Sequence, residues 1–229
     1  MNVQIGSGST TISGSLYSVS GTKTLIIVCH GFKSSKNHPA IQGIVDYLYK
    51  EGHTVFPFNF SEASKPFNLQ QQVRDIQQIV DHFTSYKHII LLGGSFGALS
   101  AMLCTVTDKR ISGLITINGF FGQRPLLRGP IFTYLAFRVL TNVVAKYKQI
   151  WSYYRKHYSP EKISVPSLVI YAEDDQTLDT SQSQNFYDQL MAKREVYVLK
   201  NGDHNLSKEN NVTEVSSVID SWLNENRFN

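Results

Sequence analysis

A serine, a histidine and an aspartate in well-separated parts of the chain have the residue types of nucleophilic catalysis. The serine is Ser95, in Gly93-Gly94-Ser95-Phe96-Gly97, which fits G-x-S-x-G. A hydroxyl is a weak nucleophile at neutral pH; it needs a base to take its proton and a third group to orient that base. Of seven histidines, His204 in KNGDHNL is the candidate base. It stands in a loop with Asn201 and Gly202, just beyond an apolar run, where an imidazole can reach over a sheet edge. His38, His53, His82, His88 and His157 fall at the starts of elements or on charged faces and read as solvated or capping residues. The acid is expected after another strand, in AEDDQTLD, where Asp174, Asp175 and Asp179 are all available and position favours Asp175. Asp203 adjoins the histidine in sequence and is badly placed to orient it.

These residues need a scaffold that brings distant loops together. TLIIVC (24–29), HTVFPFNF (53–60), HIILL (88–92), GLITI (113–117), SLVIY (167–171) and EVYVL (195–199) read as strands. Several are apolar at every position, as expected of strands covered on both faces. Pro57 marks its strand as irregular or as an edge. Helical spacing runs through 38–50, 69–83, 95–105, 181–191 and 212–223. The start, VQIGSGSTTISGSLYSV, reads as a hairpin or meander. Strand and helix alternation predicts an α/β fold with a mainly parallel sheet and helices on both faces, whose site gathers beyond the carboxyl ends of the strands. Residues 120–160 are too long for one crossover; they carry Phe120, Phe121, Phe132, Tyr134, Phe137, Tyr147, Trp151, Tyr153, Tyr154 and Tyr158. They read as a small helical cap within a single domain spanning 1–229.

Within this scaffold the glycines around Ser95 have a steric purpose. A strand that turns into a helix within a few residues needs small neighbours, and the serine then stands exposed at a helix start, where the dipole favours negative charge. The turn lacks the spacing of phosphate-binding and dinucleotide-binding loops.

Composition narrows the setting. The net charge of +4 is too mild to imply nucleic acid. It is unevenly spread, for no acidic residue lies between Asp108 and Glu161, an interval with Lys109, Arg110, Arg124, Arg128, Arg138, Lys146, Lys148, Arg155 and Lys156. The aromatics and cations of the cap read mainly as packing and solvated groups. No apolar run approaches the roughly 18 residues of a membrane span, and no leader is legible at the start. Cys29 and Cys104, both in apolar surroundings, read as small buried hydrophobes in a reduced, cytoplasmic setting, with Cys29 also next to His30. No H-E-x-x-H or paired C-x-x-C occurs, so neither metal nor organic cofactor is expected.

The chain resembles the alpha/beta-hydrolases over nearly its whole length, on His30-Gly31-Phe32 after an early strand, the elbow at Ser95, an aspartate after a late strand and a histidine after the last. The order serine, acid, histidine is that of the family. The stretch HGFKSSKNHP looks most like small carboxylesterases of the cinnamoyl and feruloyl esterase type. The resemblance implies that the acid is the fourth residue of Ala172-Glu173-Asp174-Asp175, hence Asp175, and that an oxyanion hole is made by the backbone N–H groups of Phe32 and Phe96. It implies that His30 braces its loop. The chain departs from many relatives at Asn59-Phe60-Ser61-Glu62-Ala63-Ser64, which stands where they have a glycine-rich D-x-x-G-x-G-x-S stretch.

The expected activity is hydrolysis of a small-molecule carboxylic ester with a small, apolar or aromatic acyl part. An imidazole base works only when neutral, so the rate should fall below about pH 6–7. Thioester or amide cleavage, acyl transfer on the same triad, and non-catalytic ligand binding stay open as alternatives, as does a homodimer. Nucleic acid and stable membrane insertion are not expected.

Overall fold

The apolar runs are the strands of one mixed sheet in the computed structural model, which describes residues 1–64, 68–122 and 152–228. In chain order the strands are β1 (Asn2–Ile5), β2 (Ile12–Ser15), β3 (Thr24–Cys29), β4 (Thr54–Asn59), β5 (His88–Gly94), β6 (Ile111–Ile117), β7 (Ser167–Ala172) and β8 (Arg194–Leu199). Among the described residues, the helices that pack on the sheet include α1 (Pro39–Lys50), α2 (Leu69–His82), α3 (Phe96–Thr107), α4 (Ser181–Gln189) and α5 (Asn211–Glu225). The sheet order is β1-β2-β4-β3-β5-β6-β7-β8. The β1–β2 and β2–β4 pairs are antiparallel, and every pair from β4 to β8 is parallel.

Side chains on a strand alternate between faces, so a wholly apolar strand feeds two cores. Leu25, Ile27 and Cys29 pack with α2, α3 and Phe186 of α4, whereas Ile26 and Val28 pack with α1 and α5. The split follows from handedness. The chain moves from β3 outward to β4, then back across β3 to β5 and onward to β8. Right-handed crossovers taken in opposite directions put α1 on one face and α2, α3 and α4 on the other. The reversal lies between β3 and β5, where their carboxyl ends part and leave a crevice.

Pro57 is not at an edge: β4 lies between β2 and β3. The Val55 N–H bonds to Tyr17 on the β2 side, so alternation puts the donor that Pro57 lacks on that side too. The β2 ladder covers only Phe58 and Asn59, so the proline falls in a gap where no bond is lost. His53 is a second departure. It is buried, with Nε2 2.7 Å from Asp220 Oδ1 of α5, rather than solvated or capping.

Most of the expected cap, residues 123–151, lies outside the described residues, including Phe132, Tyr134, Phe137, Tyr147, Trp151 and the cations from Arg124 to Lys148. At its two ends the aromatics pack inward. The Phe121 ring stacks on Phe186 at 4.0 Å, and the Tyr154 hydroxyl donates to the Phe121 carbonyl at 2.6 Å. Residues 152–157 are helical.

Candidate active site

Ser95 sits between β5 and α3 with φ 51° and ψ −120°. A non-glycine residue held there stores on the order of 1–3 kcal/mol of strain, which its surroundings must hold in place. The Ser95 N–H donates to the Ile117 carbonyl at 2.9 Å, and the Ser95 carbonyl accepts from the Phe120 N–H at 3.1 Å. The flanking glycines allow the close approach. A Cβ on Gly93 would lie 2.6 Å from the Gly97 carbonyl oxygen and from the Ala98 Cα. One on Gly97 would lie 2.5 Å from the His30 carbonyl oxygen and closer still to that of Cys29. Gly94 is different: a Cβ there meets nothing within 4 Å.

The loop after β8 brings His204 to the serine, with Nε2 3.1 Å from Ser95 Oγ. The loop after β7 brings Asp175 to the other ring nitrogen, with Oδ2 2.7 Å from His204 Nδ1. Asp175 is only 2% exposed. Its Oδ1 accepts from the N–H groups of Thr177 at 2.7 Å and Leu178 at 2.8 Å, so the carboxylate is compensated on both oxygens. The other aspartates are engaged elsewhere. Asp174 pairs with Lys208 at 3.0 Å, Asp179 accepts from the Ser181 N–H at 3.0 Å, and Asp203 holds the Ser207 amide and hydroxyl. A carboxylate–imidazole–hydroxyl line of this kind can move a proton off the serine while stabilising the imidazolium that forms.

Phe96 follows the serine in sequence, and Phe32 stands on the loop after β3. Phe96 is the first residue of α3, at the positive end of its dipole. Gly31 runs against the nucleophile, since a Cβ on it would lie 3.1 Å from Ser95 Cβ, and Phe32 lines the same cleft as Ser95. His30 braces this loop. Its Nε2 accepts from the Phe60 N–H at 3.4 Å, which leaves Nδ1 to donate to the Gly31 carbonyl at 2.8 Å. The cleft has a volume of about 430 Å³ and an apolar floor of Val28, Ile41, Ile44, Leu92, Ile117 and Leu206. Cys29 and Cys104 are both buried and unbridged. Burial pushes both thiols up, so neither offers a thiolate in competition with the serine.

Two residues at the site escape the sequence reading. Asp75 is fully buried in α2 and takes the Ser61 N–H at 2.9 Å, the Ser61 hydroxyl at 3.0 Å and Gln71 Nε2 at 2.9 Å. It fixes the start of the loop that departs from the glycine-rich pattern, and its only signal is an acid on the apolar stripe of a helix. Asn118 follows β6 directly; its signal is an Asn-Gly step at the carboxyl end of the strand beside the elbow. Among the described residues no group of three or more His, Cys, Asp or Glu side chains is arranged to hold a metal ion, and no helix is long and apolar enough to cross a membrane.

The same architecture recurs in solved structures. Est1E from Butyrivibrio proteoclasticus superposes with TM-score 0.76 at 16% identity, over 100% of this chain and 99% of that one. Dienelactone hydrolase from Anabaena variabilis gives 0.75 at 14%, over 98% and 96% of the two chains. Monoacylglycerol lipase from Paleococcus ferrophilus gives 0.77 at 14%, over 94% and 99%. These likenesses show the alpha/beta-hydrolase fold. No curated protein matches the sequence. A family model described as "Serine hydrolase (FSH1)" matches residues 36–214, a stretch that takes in the elbow and the loops of Asp175 and His204. On that match the chain belongs to the FSH1 serine hydrolase family.

Proposed function

We propose that this serine hydrolase is a carboxylesterase in which Ser95 is the nucleophile, His204 the general base and acid, and Asp175 the orienting carboxylate. The observation that carries the reading is the unbroken line from Asp175 Oδ2 through the imidazole to Ser95 Oγ, at 2.7 and 3.1 Å. In the first half-reaction His204 Nε2 takes the hydroxyl proton as Oγ bonds to the ester carbonyl carbon. The N–H groups of Phe32 and Phe96 receive the oxyanion, each worth about a hundredfold to a thousandfold in rate. As the tetrahedral species collapses, the C–O bond to the alcohol breaks and Nε2 returns the proton to the leaving oxygen. Water then attacks the acyl-serine by the same route, with His204 again the base.

The apolar floor of the cleft and its volume of about 430 Å³ favour a small or apolar acyl group. Two measurements test the proposal. A fluorophosphonate probe should label the wild type and not Ser95→Ala, and p-nitrophenyl esters of graded acyl length should be hydrolysed faster than matched thioesters and anilides. No labelling and no ester turnover by the wild type would overturn the proposal. Preferred turnover of thioesters or anilides would keep the nucleophile and reassign the substrate.

A further inference from the structure

The turn after β6 bonds to Ser95, to His204 and to the strand end that leads into the Asp175 loop. Ile117 accepts the Ser95 N–H at 2.9 Å and Phe120 donates to the Ser95 carbonyl at 3.1 Å, so its two ends grip the elbow. Asn118 lies between them and reaches the other two loops. Its Oδ1 accepts from the Ala172 N–H at 2.7 Å, three residues before Asp175. Its Nδ2 donates to the carbonyls of Asp203 at 3.2 Å and His204 at 3.0 Å. The side-chain orientation is fixed by the partners, because an amide N–H only donates and two carbonyls only accept. The Asn118 N–H also bonds to the Ile170 carbonyl of β7 at 2.9 Å. The residue is 3% exposed and holds φ 47°, a conformation that glycine adopts more cheaply. An asparagine kept there, buried and strained, must gain something through its side chain.

We infer that Asn118 is a positioning residue: its carboxamide ties the acid loop and the base loop to the strand end that holds the nucleophile, and so sets the Ser95–His204–Asp175 alignment. The inference rests on the esterase reading above. It assigns Asn118 no contact with substrate or reacting atoms. Its effect passes through the main chain of Ala172 and His204, and a displacement of about 1 Å at a reacting group costs about a hundredfold in rate.

Asn118→Asp keeps the size and the acceptor for Ala172 but turns an oxygen toward the two carbonyls in place of their donor. Asn118→Gly removes the side chain while suiting the positive φ, so it serves where the aspartate variant fails to fold. The wild type, both variants and Ser95→Ala are compared by thermal melting, ester kinetics and proton NMR. The NMR readout is the downfield resonance of the Asp175–His204 hydrogen bond, assigned by its loss in His204→Ala. We expect kcat to drop about a hundredfold per folded molecule in both variants, with KM little changed and the downfield resonance lost or shifted. Folded variants that keep wild-type kcat and the wild-type resonance, with only a lower melting point, would overturn the inference and leave the esterase reading standing. A wild type without esterase activity would overturn that reading instead, and the NMR resonance alone would then judge whether Asn118 sets the imidazole.

Discussion

Asp175→Asn is the sharpest test of the triad geometry, because the structure dictates how the new side chain must sit. The N–H groups of Thr177 and Leu178 both donate to Asp175 Oδ1, at 2.7 and 2.8 Å. An asparagine must keep its carbonyl oxygen on that side, and its NH₂ then faces His204 Nδ1. An NH₂ donates, so Nδ1 must accept, and the ring proton moves to Nε2. That nitrogen, 3.1 Å from Ser95 Oγ, then presents a hydrogen where it should present a lone pair. The fold is preserved and the base is in the wrong tautomer. Such a change costs about 10⁴-fold in kcat, or roughly 5.5 kcal/mol of transition-state stabilisation. The assay is hydrolysis of a short p-nitrophenyl ester, with circular dichroism and melting to certify the fold and Ser95→Ala as the floor. The reasoning is refuted if the folded variant stays within about tenfold of wild type, since Asp175 would then not be setting the tautomer.

Other perturbations separate chemistry from support. Gly97→Ala should lose activity and about 1–3 kcal/mol of stability, because its Cβ would collide with backbone carbonyls. Gly94→Ala, open on that side, should be as stable as the wild type or more stable by about 0.4–1 kcal/mol, and the two melting curves decide it. Asp220→Ala should strand the buried His53 imidazole at a cost of about 1–3 kcal/mol while leaving kcat unchanged, as read by denaturant titration beside kinetics. The side-chain bond from Arg110 holds the Asp108 carboxyl below the usual carboxylate range. Its stabilisation is therefore present above about pH 4, the unfolded value, and lost as pH falls through the lower folded one. The melting-point gap between wild type and Asp108→Asn should be widest near neutrality and shrink in acid.

The parts of the molecule legible in its sequence are those set by local periodicity and by backbone sterics. The runs around Ile26, Ile90 and Ile115 had to be strands covered on both faces, and Gly93 and Gly97 had to flank a tight turn. The choice among Asp174, Asp175 and Asp179 was a different kind of question. Position and the resemblance favoured Asp175, but in space it turns on which carboxylate faces an imidazole 29 residues away: Asp175 Oδ2 does so at 2.7 Å, while Asp174 meets Lys208 and Asp179 the Ser181 N–H. His53 misled for the same reason, since its partner Asp220 is 167 residues distant and no spacing rule joins them. Asn118 was invisible because an Asn-Gly step announces a turn whatever its carboxamide goes on to hold.

The two ends of the sheet carry different burdens. At the amino ends of the strands, His53 with Asp220 and Arg110 with Asp81 and Asp108 join helices to strand starts. These contacts are far from the hydroxyl. At the carboxyl ends, Asp175, Asn118 and His30 each hold a loop against another loop, and Asp75 ties the loop at Ser61 to α2. Loops lack the repeating hydrogen bonds that make strands rigid, so a site built on four of them needs side chains to supply rigidity. Fully bonded buried polar groups do so because any displacement leaves a donor or acceptor unpaired, at about 1–3 kcal/mol each. Losses at the amino ends should therefore lower the melting temperature and spare kcat, and losses at the carboxyl ends should lower kcat by more than their effect on stability predicts.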